Sequence, residues 1–321
     1  MGNLNILIRS INKEYGDEVL GFAKKLKYTG VPRVTSGSLF LDWALGINEK
    51  DDTSGWPMGR IVELYGQESA GKSLVSLRTV AEAQKKKMRC LYFDTEGSYD
   101  KGFAKGLGVD NSNLVLSRES AGEKIINITC KLIKEKEVDI VIFDSLAAMI
   151  PTIEADEPLE QALMAPMARM MSRGLRKLAF MNRGTLIIFI NQLREDPGKT
   201  YGSPIYTPGG RALKFYASIR VEVRRGDWVR QGKKKIGHIV KFRVAKNKSA
   251  VPMREGYFKF IHGKGIDKVD ELVSLGLLNG KITRRGSYYD LDGKTYQGRE
   301  GLEKALEDKK LFEKAKGVVF G

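Results

Sequence analysis

Gly66-Gln67-Glu68-Ser69-Ala70-Gly71-Lys72-Ser73 satisfies G-x-x-x-x-G-K-[ST] at every fixed position. Residues of these types in this order can cradle a phosphate. The glycines let backbone N–H groups converge on it, and a helix starting at the lysine adds the positive end of its dipole. In such a cradle Lys72 reaches the β and γ phosphates of a nucleoside triphosphate and the Ser73 hydroxyl sits on Mg²⁺. Leu74 follows as the first apolar residue of the helix and closes the candidate site. Asp144 ends the apolar run Ile140-Val141-Ile142-Phe143. An acid there can hold Mg²⁺, directly or through water, or can simply cap a following helix; beside a phosphate cradle the metal role is the preferred reading. Glu96 leaves another strand end and could polarise an attacking water, or lie in a surface turn. Gln192, at a third strand end, could sense the γ phosphate, although an amide there has plainer uses. Together these residues imply a nucleotide-binding protein.

Elements that would position these groups can be read from periodicity. Ile61, Val62, Leu64 and Tyr65 form a short buried strand before the glycine loop, and Leu74, Leu77, Val80 and Ala81 give the next segment a helical stripe. Cys90–Asp94, Leu114–Leu116, Val138–Asp144 and Thr185–Ile190 are nearly all-apolar strands alternating with helices over 123–136 and 162–181. That alternation predicts a parallel sheet covered on both faces, with ligands beyond the carboxyl ends of its strands. Segments 219–223, 238–245 and 257–261 alternate with period two and predict an antiparallel extension. From about Gly263 a small C-terminal α+β piece follows, with helices expected near 267–276 and 299–315. Residues 3–27 read as one or two short helices, either a cap on the core or a handle for a neighbouring subunit. Residues 35–46 read as a capped amphipathic helix ending at Gly46. Three segments are expected: an N-terminal helical arm over 1–34, a core over 35–262 and a C-terminal domain over 263–321.

The chain has 321 residues and a net charge of +16. That excess favours a polyanionic partner over small-molecule chemistry alone. Ten Lys/Arg lie between Arg224 and Lys248 against the single acid Asp227. Polymeric phosphate is the natural partner of this stretch, and lysines guarding a sheet edge are the plainer alternative. On the helix over 162–181, Arg169, Arg173 and Arg176 fall at i, i+4 and i+7, one face that can line a phosphate track or simply be solvated. Met164, Met167, Met170 and Met171 read as core. Cys90 and Cys130 read as buried free thiols, consistent with a reducing cytoplasm, and His238 and His262 lack neighbours at zinc-ligand spacing. No apolar run is long enough for a membrane span.

Several blocks resemble the bacterial RecA recombinase family, in that family's order from about residue 35 to 290. They are the glycine loop, Asp94-Thr95-Glu96, Ile142-Phe143-Asp144-Ser145, Ala168–Leu178, Phe189–Gln192, Thr207–Ser218 and Lys246-Asn247-Lys248. The resemblance implies a RecA-like P-loop ATPase core with a mainly parallel central sheet, and ATP with Mg²⁺ as cofactors. It makes Glu96 the catalytic carboxylate and Gln192 the γ-phosphate sensor, and it sets Asp100 and Phe103 beside the adenine. It sends Lys246 and Lys248 to the ATP of the adjacent subunit, so that the site completes only in a filament. Single-stranded DNA contacts are implied for Met164, Arg169, Ser172, Arg173 and Arg176 around a first loop, and for Arg194, Thr207, Gly209 and Gly210 in a second. Arg224, Arg225, Lys241 and Arg243 become candidates for a duplex or displaced-strand site. Ile11–Gly16 resembles the family's assembly arm. Glu195, Asp196 and Pro197 depart from the family pattern in the second loop. So does the stretch 302–321, where five lysines stand against four acids and an acidic tail is common in relatives; a C-terminus shortened relative to the family raises the expectation of a phage or plasmid-borne member.

The expected function is therefore a cytoplasmic DNA-dependent ATPase. It would coat single-stranded DNA as a helical homo-oligomer, pair it with homologous duplex and exchange strands. A ring-forming relative of the replicative helicase type is the alternative; it would need a collar domain, for which the 34 residues before the first matched block are few. A non-hydrolytic paralogue is expected to lack Lys72, Glu96 or Asp144, and all are present.

Overall fold

The computed structural model describes residues 2–16, 19–22, 31–48, 53–156, 165–195 and 205–320. Residues up to Val31 and from Pro32 onward form two separate compact units. The first holds helix α1 (Gly2–Tyr15), which carries Leu4, Ile8 and Ile11 at helical spacing. The Asn12 amide ties its end, donating to the Leu20 carbonyl and accepting the Leu20 N–H at 2.7 Å.

The second unit begins with short strand pairs around α2 (Leu39–Leu45), whose Ser38 hydroxyl accepts from the Leu41 N–H and whose C-cap is Gly46. Its centre is a nine-stranded sheet. The strands are β1 (Ile61–Gly66), β2 (Cys90–Asp94), β3 (Leu114–Ser117), β4 (Ile140–Asp144), β5 (Leu186–Gln192), β6 (Ile219–Gln231), β7 (Lys234–Asn247), β8 (Glu255–Ile261) and β9 (Gly265–Ile266). Their spatial order is β9-β8-β7-β6-β1-β5-β4-β2-β3. Strands β3, β2, β4, β5, β1 and β6 run parallel, and β7, β8 and β9 continue antiparallel. Residues 61–66, 90–94 and 140–144 are buried throughout, which is why the sequence there is almost continuously apolar.

Helices cover both faces. On one lie α2 and α3 (Lys72–Lys85), with α4 (Lys101–Gly106) beyond the tip of β2. On the other lie α5 (Gly122–Lys134), the short α6 (Thr152–Asp156), α7 (Pro166–Met181) and α8 (Ala212–Tyr216). On this second face Phe93, Phe143 and Phe189 stack across three neighbouring strands, with ring centroids 5.2 and 4.4 Å apart. Met170 and Met171 are buried there and Met167 is half-buried; Met164 lies outside the described residues. Cys90 and Cys130 are free and buried, and burial pushes the Cys90 thiol up to about 12. Among the described residues no helix is long and apolar enough to cross a membrane.

The C-terminal piece is α+β as the sequence reading has it, but its elements fall differently. After α9 (Lys268–Leu278) comes a three-stranded sheet of β10 (Ile282–Arg285), β11 (Tyr288–Leu291) and β12 (Lys294–Gln297), strands that periodicity does not place. The Asp292-Gly293 turn joining β11 to β12 has φ of 49° and 75°, the two positive values a tight hairpin wants. The single helix expected over 299–315 is two, α10 (Gly298–Ala305) and α11 (Lys309–Phe320), because Asp308 accepts the Leu311 N–H and restarts the chain. Leu302, Leu306, Ala315 and Val319 carry the apolar stripe across the break and bury it against α9 and β10.

Candidate functional site

The strand ends converge as parallel topology requires. β1 leads through Gly66 into the glycine loop, and a Cβ at Gly66 would collide with the Val223 carbonyl of β6. Gln67, Glu68 and Ser69 are exposed, Ala70 is buried, and Gly71 takes φ 103° to turn the chain into α3. Lys72 is buried, and its ammonium donates to the Gly66 carbonyl at 3.2 Å and to the Gln67 carbonyl at 2.6 Å. Burial lowers its pKa, and the Asp144 and Glu96 carboxylates oppose that. A dehydrated cation hydrogen-bonded to carbonyls inside a glycine loop fits a phosphate group.

Ser73 and Asp144 face each other across the helix start: the Ser73 hydroxyl donates to Asp144 Oδ2 at 2.7 Å. The same oxygen accepts the Tyr92 hydroxyl, from the strand beside β4. Burial raises the Asp144 pKa, and the Tyr92 and Ser73 hydrogen bonds work against it. A hydroxyl and a carboxylate are hard oxygen ligands that suit Mg²⁺, a cation that takes few protein ligands and completes its shell with phosphate and water. Among the described residues no group of three or more His, Cys, Asp or Glu could hold a metal by itself.

Glu96 lies beside this pair. Its Oε1 accepts the Ser145 hydroxyl and, at 2.9 Å, the Gln192 amide. Asp94 shapes the loop that carries it, accepting the Ser98 and Tyr99 N–H groups at 2.9 and 3.1 Å. Thr95 donates its N–H to the Asp144 carbonyl at 2.8 Å and its hydroxyl to the Ser145 carbonyl at 2.7 Å. Lys72, Ser73, Glu96, Asp144 and Gln192 thus come together from β1, β2, β4 and β5. Periodicity does not single out Tyr92 or Asn191. Asn191 is fully buried and donates to Glu63 and to the Pro208 carbonyl, joining the strand before Gln192 to the return of the loop after it.

Asp100 N-caps α4 through the Phe103 N–H at 2.6 Å, and Phe103 is exposed with its ring edge-on to Phe260 of β8. Lys246 and Lys248 are not brought to the cradle. The register sets Lys246 opposite Arg220, which pairs with Glu63, whereas the cradle begins at Gly66. Three residues of strand separate those levels, roughly 10 Å. Here the Lys246 ammonium donates to the Lys214 and Phe215 carbonyls at the end of α8.

Of the first-loop candidates, Arg169, Arg173 and Arg176 are exposed on α7 and Ser172 is half-buried. The three arginines border a groove of about 890 Å³ between α5 and α7, with Ile126, Ile153 and Phe180 among its apolar lining. Arg194 starts a two-residue strand that pairs with Ile205-Tyr206. Asp196 and Pro197 lie outside the described residues, whereas Thr207 is buried. Gly209 and Gly210 have φ of 88° and 74°, and Cβ atoms there would meet Leu146 at 2.7 Å and Ala168 at 3.0 Å. Their lack of side chains lets the returning loop pack on the turn after β4 and on α7.

Arg224, Arg225, Lys241 and Arg243 are exposed on the β6–β7 hairpin. Arg224 pairs with Glu222 at 2.7 Å and Arg243 with Glu255 at 3.4 Å. Farther out, Trp228 has the Arg225 guanidinium 4.5 Å and the Lys235 ammonium 4.6 Å from its ring centre.

The family described as the RecA N-terminal domain matches residues 2–267. "Protein RecA" of Mesomycoplasma hyopneumoniae strain J is 40% identical over 316 residues, covering 97% of this chain and 92% of that relative. "Protein RecA" of Lactobacillus johnsonii is 40% identical over 309 residues, covering 95% and 84%. That of Chloroherpeton thalassium is 38% identical over 315 residues, covering 97% and 87%. By the extent of these matches, the chain belongs to the RecA family.

Proposed function

We propose that this chain is a DNA-dependent ATPase of homologous recombination. It assembles on single-stranded DNA as an ATP-bound helical filament, pairs that strand with homologous duplex and exchanges strands. The observation that carries the reading is the Gln192–Glu96 hydrogen bond. It ties a carboxylate suited to general-base work to the last residue of β5, where the chain enters the second candidate DNA loop at Leu193. Occupancy of that loop and the geometry at Glu96 are thereby coupled over a single side-chain contact.

In this reading the glycine loop residues 66–71 wrap the triphosphate, Lys72 neutralises the β and γ phosphates, and Leu74 anchors the helix start. Ser73 and, directly or through water, Asp144 would hold Mg²⁺, which would supply charge neutralisation at the phosphate oxygens. Glu96 accepts the proton of the attacking water, and Gln192 reports the γ phosphate to the loop that follows. Asp100 and Phe103 flank the base. Lys246 and Lys248 serve a neighbouring subunit's site, in keeping with their distance from the cradle of their own chain. Arg169, Ser172, Arg173, Arg176, Arg194, Thr207, Gly209 and Gly210, with Met164, form the single-strand path. Arg224, Arg225, Lys241 and Arg243 take duplex or displaced strand. Residues 1–34 act as the assembly arm, 35–262 as the ATPase core and 263–321 as a small C-terminal domain. The buried free thiols suit a reducing cytoplasm.

Electron microscopy of the protein with single-stranded DNA, with and without a slowly hydrolysed ATP analogue, tests the proposal. Extended helical filaments that require the analogue are expected. Closed rings of fixed subunit number would instead support a helicase-type assembly and overturn the filament reading.

A further inference from the structure

Tyr92 has no part in the site as proposed, yet its hydroxyl ends on it. The residue lies in the middle of β2, paired with Ile142 of β4, so its Cα is two residues short of the strand tips where Asp94 and Asp144 stand level. Its side chain bridges that gap along the α3 face of the sheet. The ring is 2% exposed, packed edge-on against Tyr99 at 5.5 Å and buried among Ile142 and the aliphatic side chains of α3. A phenylalanine would fill this space equally well. The hydroxyl is therefore not needed for packing, and burying it without a partner would be costly. Its partner is Asp144 Oδ2, the oxygen that also accepts the Ser73 hydroxyl at 2.7 Å.

Ser73 approaches Asp144 from the phosphate loop and Tyr92 from beneath the sheet tip. Of the two donors, only Ser73 is a candidate metal ligand. Tyr92 is enclosed, and its hydroxyl reaches Asp144 and, beside it, Ser73, so its bond to Asp144 is free to persist when Ser73 turns toward a cation. We propose that Tyr92 is a positioning residue for the divalent-cation site: by donating to Oδ2 it fixes the orientation in which the Asp144 carboxylate faces the cation or its water. The inference rests on the Mg²⁺–nucleotide reading of Ser73 and Asp144. A hydrogen bond from a residue that never touches the metal commonly orients a ligating carboxylate in this way.

The test uses the full chain with Tyr92→Phe, which keeps the ring and removes one oxygen. Binding of a non-hydrolysable ATP analogue is measured by calorimetry across a Mg²⁺ titration, alongside direct Mn²⁺ binding followed by electron paramagnetic resonance. Thermal melting is recorded without nucleotide or metal. The expected result is Mg²⁺ and Mn²⁺ dependence displaced to about tenfold higher concentration, the lower end of what losing a ligand-orienting hydrogen bond costs in metal affinity. Analogue binding in excess chelator should be unchanged, and melting should shift little. Asp144→Asn and the unaltered protein serve as references. If the unaltered protein shows no cation-dependent analogue binding, the Mg²⁺–nucleotide reading itself fails. If it does, and Asp144→Asn abolishes it while Tyr92→Phe leaves the cation dependence where it was, the positioning role is overturned and Tyr92 serves packing only. A lower melting temperature with unchanged cation dependence overturns the role in the same way.

Discussion

Replacing Glu96 by Gln separates chemistry from assembly more cleanly than any other change at the strand ends. The carboxylate is solvent-facing, and its Oε1 accepts from Ser145 and from Gln192 at 2.9 Å. Glutamine has the same length, and its own Oε1 can keep both donors, with the new NH₂ turned toward solvent and the substrate. The Gln192 contact then survives, and so does the route from this site to the second loop. What is lost is the capacity to take a proton from water. General-base catalysis contributes on the order of 10²–10⁴ in rate, which is about 3–5 kcal/mol of barrier. Folding should hardly change, since the side chain is exposed and the glutamine Oε1 keeps both donors, leaving a change within about 0.5 kcal/mol. Single-stranded-DNA-stimulated phosphate release should therefore fall at least about a hundredfold. Binding of a fluorescent ATP analogue and filament formation should stay within about threefold of the unaltered protein, because no cation or phosphate-facing donor is removed. Single-turnover measurement keeps product release out of the comparison. Turnover retained within a factor of about ten would remove Glu96 from the base role, since general-base catalysis is worth more than that. A loss of binding equal to the loss of turnover would make the residue a structural support of the loop.

Lys72→Ala removes a cation seated 2.6 Å from the Gln67 carbonyl, and a charged hydrogen bond is worth about 1.5–3 kcal/mol, so nucleotide affinity should drop at least about tenfold by calorimetry. Lys72→Arg should bind nucleotide yet hydrolyse poorly, because a planar fork replaces a point cation in a slot closed by two carbonyls. Lys248→Ala mixed with Glu96→Gln, each inactive alone, should recover part of the DNA-stimulated turnover, as some interfaces then pair an intact Glu96 with an intact neighbouring lysine pair; demonstrably mixed filaments without recovery would argue against completion in trans. Glu271 of α9 is fully buried, accepting the Ser38 hydroxyl and the Leu39 and Phe40 N–H groups, and burial pushes its pKa up to about 8. The folded state then keeps a proton that the unfolded chain releases near the ordinary value of 4.5, so this group's stabilisation is full at low pH and is lost as pH rises through about 8. Urea midpoints should fall between pH 5 and 8 with a slope of up to about 1.4 kcal/mol per pH unit; Glu271→Ala should flatten that slope, and an unchanged slope in the variant would dissociate it from Glu271.

The parts of this chain that can be read in advance are those where physics leaves few residue types. A strand buried on both faces must be apolar throughout, so β1, β2, β4 and β5 are legible. A loop that wraps phosphate needs glycine where β6 approaches within contact of Gly66 and where Gly71 takes φ 103°, so the cradle is legible too. The small sheet β10–β12 is not, since it buries little beyond Ile282, Tyr289 and Leu291 and its other face is charged. The Asp292-Gly293 pair is the available signal, and the strong helical stripes on either side outweigh it. Tyr92 is illegible for a different reason. In a run such as Cys-Leu-Tyr-Phe-Asp an aromatic residue reads as core, and it is core. Only the partner of one oxygen, 52 residues away on the neighbouring strand, distinguishes it from phenylalanine. Asn191 and Glu63 are similar, polar groups inside apolar strands that make sense once their contact at 3.0 Å is seen. Lys246 and Lys248 mark a further limit. Sequence spacing alone assigns them no place; the sheet register sets Lys246 level with Glu63, and the Lys248 N–H bonds the Ser218 carbonyl just before β6, while the cradle opens at Gly66. Three residues of strand, roughly 10 Å, separate Lys246 from the cradle of its own chain. The role proposed for them in hydrolysis lies in a second copy's site, and this makes the mixing experiment, rather than either lysine substitution alone, the decisive one.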